Sequence, residues 1–92
     1  MRLVRSDGYR ADLAGIADYI ANDNAQAALA MWDEIEAQVE RLRMFPHSGR
    51  EGRQEGTREL IISGTPYVVV YAVAEDVTVL RVLHGAQRWP ET

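Results

Sequence analysis

The sequence predicts an α+β fold of order β-α-α-β-β-β, and three observations carry that prediction. Two stretches in the first half repeat apolar residues at helical spacing. Three stretches in the second half are rich in β-branched residues and are separated by turns too short to hold a helix. Short connections force antiparallel neighbours. An N-terminal αα-hairpin is therefore expected to pack on one face of a small, curved, mainly antiparallel sheet, with residues 1–92 forming one domain.

Met1 to Arg5 is a short strand candidate, expected at an edge of the sheet. Ser6-Asp7-Gly8 then offers a capping oxygen and early negative charge to a helix. Tyr9, Leu13, Ile16, Ala17 and Ile20 form one stripe of that helix. Asn22-Asp23-Asn24 breaks it, and Asn24 caps a second helix. Its stripe is Ala28, Trp32, Ile35, Val39 and Leu42, so Trp32 is expected in the core. Arg41 and Arg43 suit the negative end of the helix dipole, and Pro46 stops the helix. His47 to Gly56 has three glycines and no apolar residue and reads as a loop.

The strands follow at about Thr57 to Ile62, Tyr67 to Val73, and Val77 to His84. Gly64-Thr65-Pro66 and Glu75-Asp76 turn the chain between them. Both faces of the middle strand are apolar: Tyr67, Val69, Tyr71 and Val73 alternate with Val68, Val70 and Ala72. In the last strand, alternation sets Val77, Val79, Arg81 and Leu83 against Thr78, Leu80, Val82 and His84. The helices supply one cover. The second face then either awaits a partner, as exposed apolar patches do, or is closed by the tail carrying Trp89.

Composition narrows the function classes. The hydrophobic fraction of 47% and charged fraction of 26% are ordinary for a globular protein. With no cysteine there is no disulfide framework and no thiolate nucleophile or metal ligand. No motif calls for a metal or a cofactor. Met1-Arg2-Leu3-Val4-Arg5 lacks an apolar signal region, and the longest apolar run, Tyr67 to Ala74, is too short to cross a bilayer. A cytoplasmic location away from membranes is expected. All ten basic residues are Arg. Acid concentrates in the first 40 residues, whereas residues 41–58 carry five arginines against two glutamates. A chain of net charge −4 is a poor non-specific ligand for nucleic acid. No direct sequence-specific nucleic-acid binding is expected of it.

Several stretches together resemble the ParE branch of the RelE/ParE superfamily of bacterial toxins. They are Ala11-Asp12-Leu13, Ile16-Ala17-Asp18-Tyr19-Ile20, Phe45-Pro46-His47-Ser48-Gly49-Arg50, Gly56-Thr57-Arg58-Glu59-Leu60, Gly64 through Tyr71, and Leu80 through Pro90. The likeness covers nearly the whole chain, and the C-terminal motifs are its most specific part. It implies the same β-α-α-β-β-β fold. It also implies the toxin of a type II toxin–antitoxin, or plasmid stabilisation, module. Such a toxin is bound by a small ParD-like antitoxin encoded beside it, and the two form a hetero-oligomer. ParE-type toxins act on DNA gyrase; RelE-type toxins are ribosome-dependent mRNA endonucleases, or mRNA interferases.

Each implied role has candidates here. RNA cleavage needs an acid or base and cations on the phosphate; His84, with Arg58 and Arg81, is the set available. Three features weigh against it. Arg81 and His84 lie three apart on a strand and so face opposite sides unless a bulge or bend intervenes near Gly85. The chain has no Lys and no Tyr after Tyr71. The sequence pI is about 5.0, unsuited to docking on ribosomal RNA. A non-catalytic toxin that binds its target is therefore the expectation, through Arg50, Arg53, Arg81, His84, Arg88 and Trp89. Tyr67, Tyr71 and Leu83 are the candidate antitoxin contacts. Plainer alternatives stand beside several of these: ion pairs for Arg58 and Arg81, a mobile loop for Arg50 and Arg53, a hydrogen-bonded strand end for His84, and packing for Trp89.

Overall fold

The computed structural model describes residues 1–90. Strand β1 (Leu3–Arg5) leads into helix α1 (Asp7–Ala21) and helix α2 (Ala25–Glu40), which tightens into a 3₁₀ turn at Arg41–Arg43. Strands β2 (Arg50–Glu51), β3 (Arg58–Ile61), β4 (Tyr67–Val73) and β5 (Val77–His84) follow. The sheet order is β1-β5-β4-β3-β2, antiparallel except for the parallel β1–β5 pair. The α+β class and the helical hairpin on a mainly antiparallel sheet are as expected. The extra strand is a correction: part of the predicted 47–56 loop pairs with β3, Arg50 opposite Glu59 and Glu51 opposite Arg58.

Both predicted caps form. Ser6 Oγ accepts from Tyr9 N at 3.2 Å and donates to Leu80 O at 3.0 Å, so one hydroxyl starts α1 and pins it to β5. Asn24 Oδ1 accepts from Ala27 N at 3.0 Å. Tyr9 and Leu13 of α1 and Ile35, Val39 and Leu42 of the second segment reach the core beside Val69, Tyr71, Val77, Val79 and Val82. Trp32 does not. It is 38% exposed, and Met31 packs against the core instead. The helical stripe is wide enough for either neighbour, and only the angle at which α2 crosses the sheet selects between them.

Two long-range clamps set that angle. The Arg5 guanidinium donates to Glu36 at 2.7 and 3.0 Å and to Glu40 at 3.0 Å, tying β1 to α2. The Gln38 side chain accepts from Ser63 N at 2.9 Å and donates to Ser63 O at 3.1 Å, tying α2 to the β3–β4 turn.

The faces of β5 depart from simple alternation. Tyr71 pairs with Val79 and Val70 with Arg81, so Leu80 is an extra residue, a β-bulge. Beyond it every side chain changes sides. Val82 and His84 join Val77 and Val79 on the helix-covered face, opposite Val69 and Tyr67, and Arg81 and Leu83 fall on the other face with Val70 and Val68. That other face is not left open, contrary to the first of the two readings above. Val68, Val70 and Leu83 are all buried. Val70 is flanked across the sheet by Glu59 and Arg81. The Arg81 guanidinium in turn lies 5.3 Å over the Trp89 ring, so the tail returns to the sheet.

Candidate functional site

Arg58, Arg81 and His84 do not converge. Arg58 sits opposite Tyr71 and His84 opposite Tyr67, four residues apart along β4, roughly 13 Å at strand rise. The bulge precedes both Arg81 and His84, so these two remain on opposite faces. Each is also engaged. Arg58 Nη1 donates to Gly49 O at 2.7 Å and to His47 O at 3.4 Å, holding the turn before β2. Arg81 donates to both carboxylate oxygens of Asp12, at 2.6 and 3.1 Å, and Asp12 also accepts from Val82 N. Asp12 thus satisfies the edge of β5 where β1 has ended. His84 is exposed; its Nδ1 accepts from Ala86 N at 3.1 Å, and its ring stands edge-on to Tyr67 at 6.0 Å.

The Asp12–Arg81 pair is partly buried and bidentate, the strong form of an ion pair. Asp12→Asn is expected to lower the unfolding free energy by roughly 1–2 kcal/mol, read by urea unfolding. A change below the measurement error would show the pair to be ornamental.

The remaining arginine candidates divide. Arg50 and Arg53 converge on Glu59, a carboxylate only 1% exposed. Arg50 Nη2 donates to it at 3.0 Å, Arg53 N at 2.9 Å and Arg53 Nε at 3.4 Å. Burial alone pushes this carboxyl up, but the Arg53 amide and the two guanidiniums outweigh it and hold it below the ordinary range. Both arginines keep an exposed outer side. Arg88 is exposed beside the half-buried Trp89.

Two of the predicted partner contacts are corrected. Tyr71 is fully buried and its hydroxyl accepts from Gly49 N at 2.8 Å. Leu83 is buried as well. Neither offers surface to another chain. Tyr67 is half-buried and, with His84, Tyr19, Ile16 and Gln87, lines a cleft of about 480 Å³ between α1 and the β4–β5 end. Glu59 and Asp12, which the sequence reading passed over, organise the site. Their partners are nearby arginines in one case and 69 residues away in the other. Only the first had a sequence signal, the run of arginines just before Glu59. Among the described residues no cluster of His, Asp and Glu could hold a metal ion, and no helix is long and apolar enough to cross a membrane.

The candidate residues are thus spread over both faces of the sheet and largely tied into ion pairs and hydrogen bonds, and comparison with known proteins identifies the family. Residues 3–89 match the family model described as "ParE toxin of type II toxin-antitoxin system, parDE". A Sinorhizobium fredii protein (strain NBRC 101917 / NGR234) that bears the name toxin Y4kP is 40% identical over 76 residues, which cover 83% of this chain and 79% of the relative. The solved structure titled "Chromosomal ParDE TA system from P. aeruginosa" superposes with a TM-score of 0.83 at 26% identity, covering 91% of this chain and 95% of that one. The chain belongs to the ParE toxin family of type II toxin–antitoxin systems.

Proposed function

We propose that this chain inhibits DNA gyrase by surface binding and is neutralised by a ParD-like antitoxin encoded beside it, as a plasmid-stabilisation type of module. The observation that carries the non-catalytic reading is the scattering of Arg58, Arg81 and His84 over two faces, each with a partner inside the fold. A nuclease needs acid, base and phosphate-binding cations around one scissile bond. Family membership supports the toxin role, and the structural likeness to a ParDE system supports a paired antitoxin. The groups offered to the target are His84 and Arg88 at the end of β5 and in the tail, with the outer sides of Arg50 and Arg53.

The test is expression in bacteria from a tightly repressed promoter. Filamentation with DNA-damage signalling is expected, and purified chain should inhibit gyrase supercoiling. His84→Ala, which removes one exposed contact and no proton transfer, should weaken growth arrest only in part, and Arg88→Glu should weaken it more. Rapid loss of translation with cleaved transcripts, abolished by His84→Ala, would overturn the gyrase reading in favour of the ribosome-dependent nuclease.

A further inference from the structure

Strand β2 covers only the first half of β3. Arg50 and Glu51 pair with Glu59 and Arg58, while β3 continues through Leu60 and Ile61. Ile62 N donates to Tyr67 O at 3.0 Å, toward β4. Alternation then directs the N–H and C=O of Ile61 away from β4, to the outer edge. No strand among the described residues pairs there. An uncovered strand edge is a template for another strand, and proteins usually blunt it with a charge or a proline. Here the edge residue is Ile61, 53% exposed, and beside it stands Phe45, 61% exposed.

These two residues and Leu60 line a shallow cleft of about 230 Å³ whose rim includes Arg41 and Ser48. The rim is cationic. Arg43 is held by Glu40, and Arg50 by the buried Glu59. Arg41 is exposed and has no hydrogen-bonding or ionic partner among the described residues. Open edge, apolar cleft and unpaired cation coincide at one corner, and no internal role accounts for them together.

We propose that this corner seats an extended segment of the antitoxin. The segment adds a short strand to β3 at Ile61, sets an apolar side chain between Phe45 and Ile61, and brings carboxylates to Arg41 and Arg50. The proposal rests on the antitoxin pairing put forward above. A second copy of this chain fits the corner poorly. A two-fold contact there sets arginine rim against arginine rim. Nucleic acid fits poorly too, since the centre of the surface is apolar.

The probe is the protein encoded by the reading frame adjacent to this chain's gene, titrated calorimetrically into the purified full chain. Phe45→Glu and Ile61→Glu are each expected to weaken binding at least about tenfold, as loss of a central apolar contact does. Arg41→Ala should weaken it several-fold and flatten its salt dependence. Leu29→Glu, on the outer side of the helical hairpin, should leave it unchanged. Hydrogen exchange of the unmodified complex reads the same site with no mutation, and the Ile61 amide should be slowed. Unchanged affinity with an unprotected Ile61 amide would overturn the site while leaving the antitoxin pairing intact. Failure of the unmodified chain to bind would overturn the pairing and the site together.

Discussion

Gly49→Ala should destabilise this protein by about 2–3 kcal/mol, although it adds a single methyl group. Gly49 is buried, and a Cβ built on it lies 2.5 Å from Tyr71 Oη, 2.7 Å from Tyr71 Cε1 and 2.9 Å from Glu59 O. None of these can yield cheaply. Tyr71 is fully enclosed by the core, and Glu59 O belongs to the backbone of β3. Any retreat of Gly49 also stretches its N–H bond to Tyr71 and pulls its carbonyl from Arg58. The effect is steric, since among the described residues only Gly56 and Gly64 have positive φ. Thermal unfolding should show a fall of about 10–20 °C. Gly15→Ala is the control. Its added methyl meets nothing within 4 Å, and in the middle of α1 it should be neutral or stabilise by up to about 1 kcal/mol. Equal effects at the two positions would refute the close approach.

Glu59→Gln is the second large effect, expected to cost about 2–3 kcal/mol at neutral pH. The carboxylate accepts one amide and two guanidinium hydrogen bonds in a site water does not reach. The two arginines keep roughly half their surface in solvent and rehydrate when the charge is removed, so the loss stays below that of a fully buried pair. The pH dependence follows from the depressed folded-state value. A carboxyl held below its ordinary 4.5 contributes stability that is complete above that pH. The contribution is lost as pH falls through the lower folded value. Urea unfolding at a series of pH values should show parent and variant far apart at pH 7 and converging in acid. Parallel curves down to the acid limit would show that the clamp is not ionic.

Legibility in the sequence follows the range of the interactions. The caps at Ser6 and Asn24, the helical stripes, and strands β4 and β5 were readable because each depends on residues a few positions apart. β2 was missed because two residues carry no periodicity. The bulge at Leu80 was missed for a similar reason. Alternation continues through it in the sequence, and only pairing with β4 shows that one residue is extra. This one irregularity turned the predicted faces of the last four strand residues. With it went the expectation of an uncovered apolar underside.

The candidate site was legible by residue type and illegible by role. Arg50, Arg53, Arg58 and Arg81 drew notice as cations, and the structure assigns each to a carboxylate or a carbonyl inside the fold. Asp12 lies 69 residues from its arginine, a separation at which no local pattern operates.

The sequence by itself determined the α+β class, the order of the helices and main strands, and the likeness to ParE toxins. Propensity, capping and spacing act locally along the chain. Tertiary structure alone decided which side of β5 faces the helices, which arginines remain available to a partner, and that an unsealed apolar patch lies at the β3 edge. Those outcomes depend on strand register and on pairs closed across the whole chain, where a shift of one residue reverses the assignment.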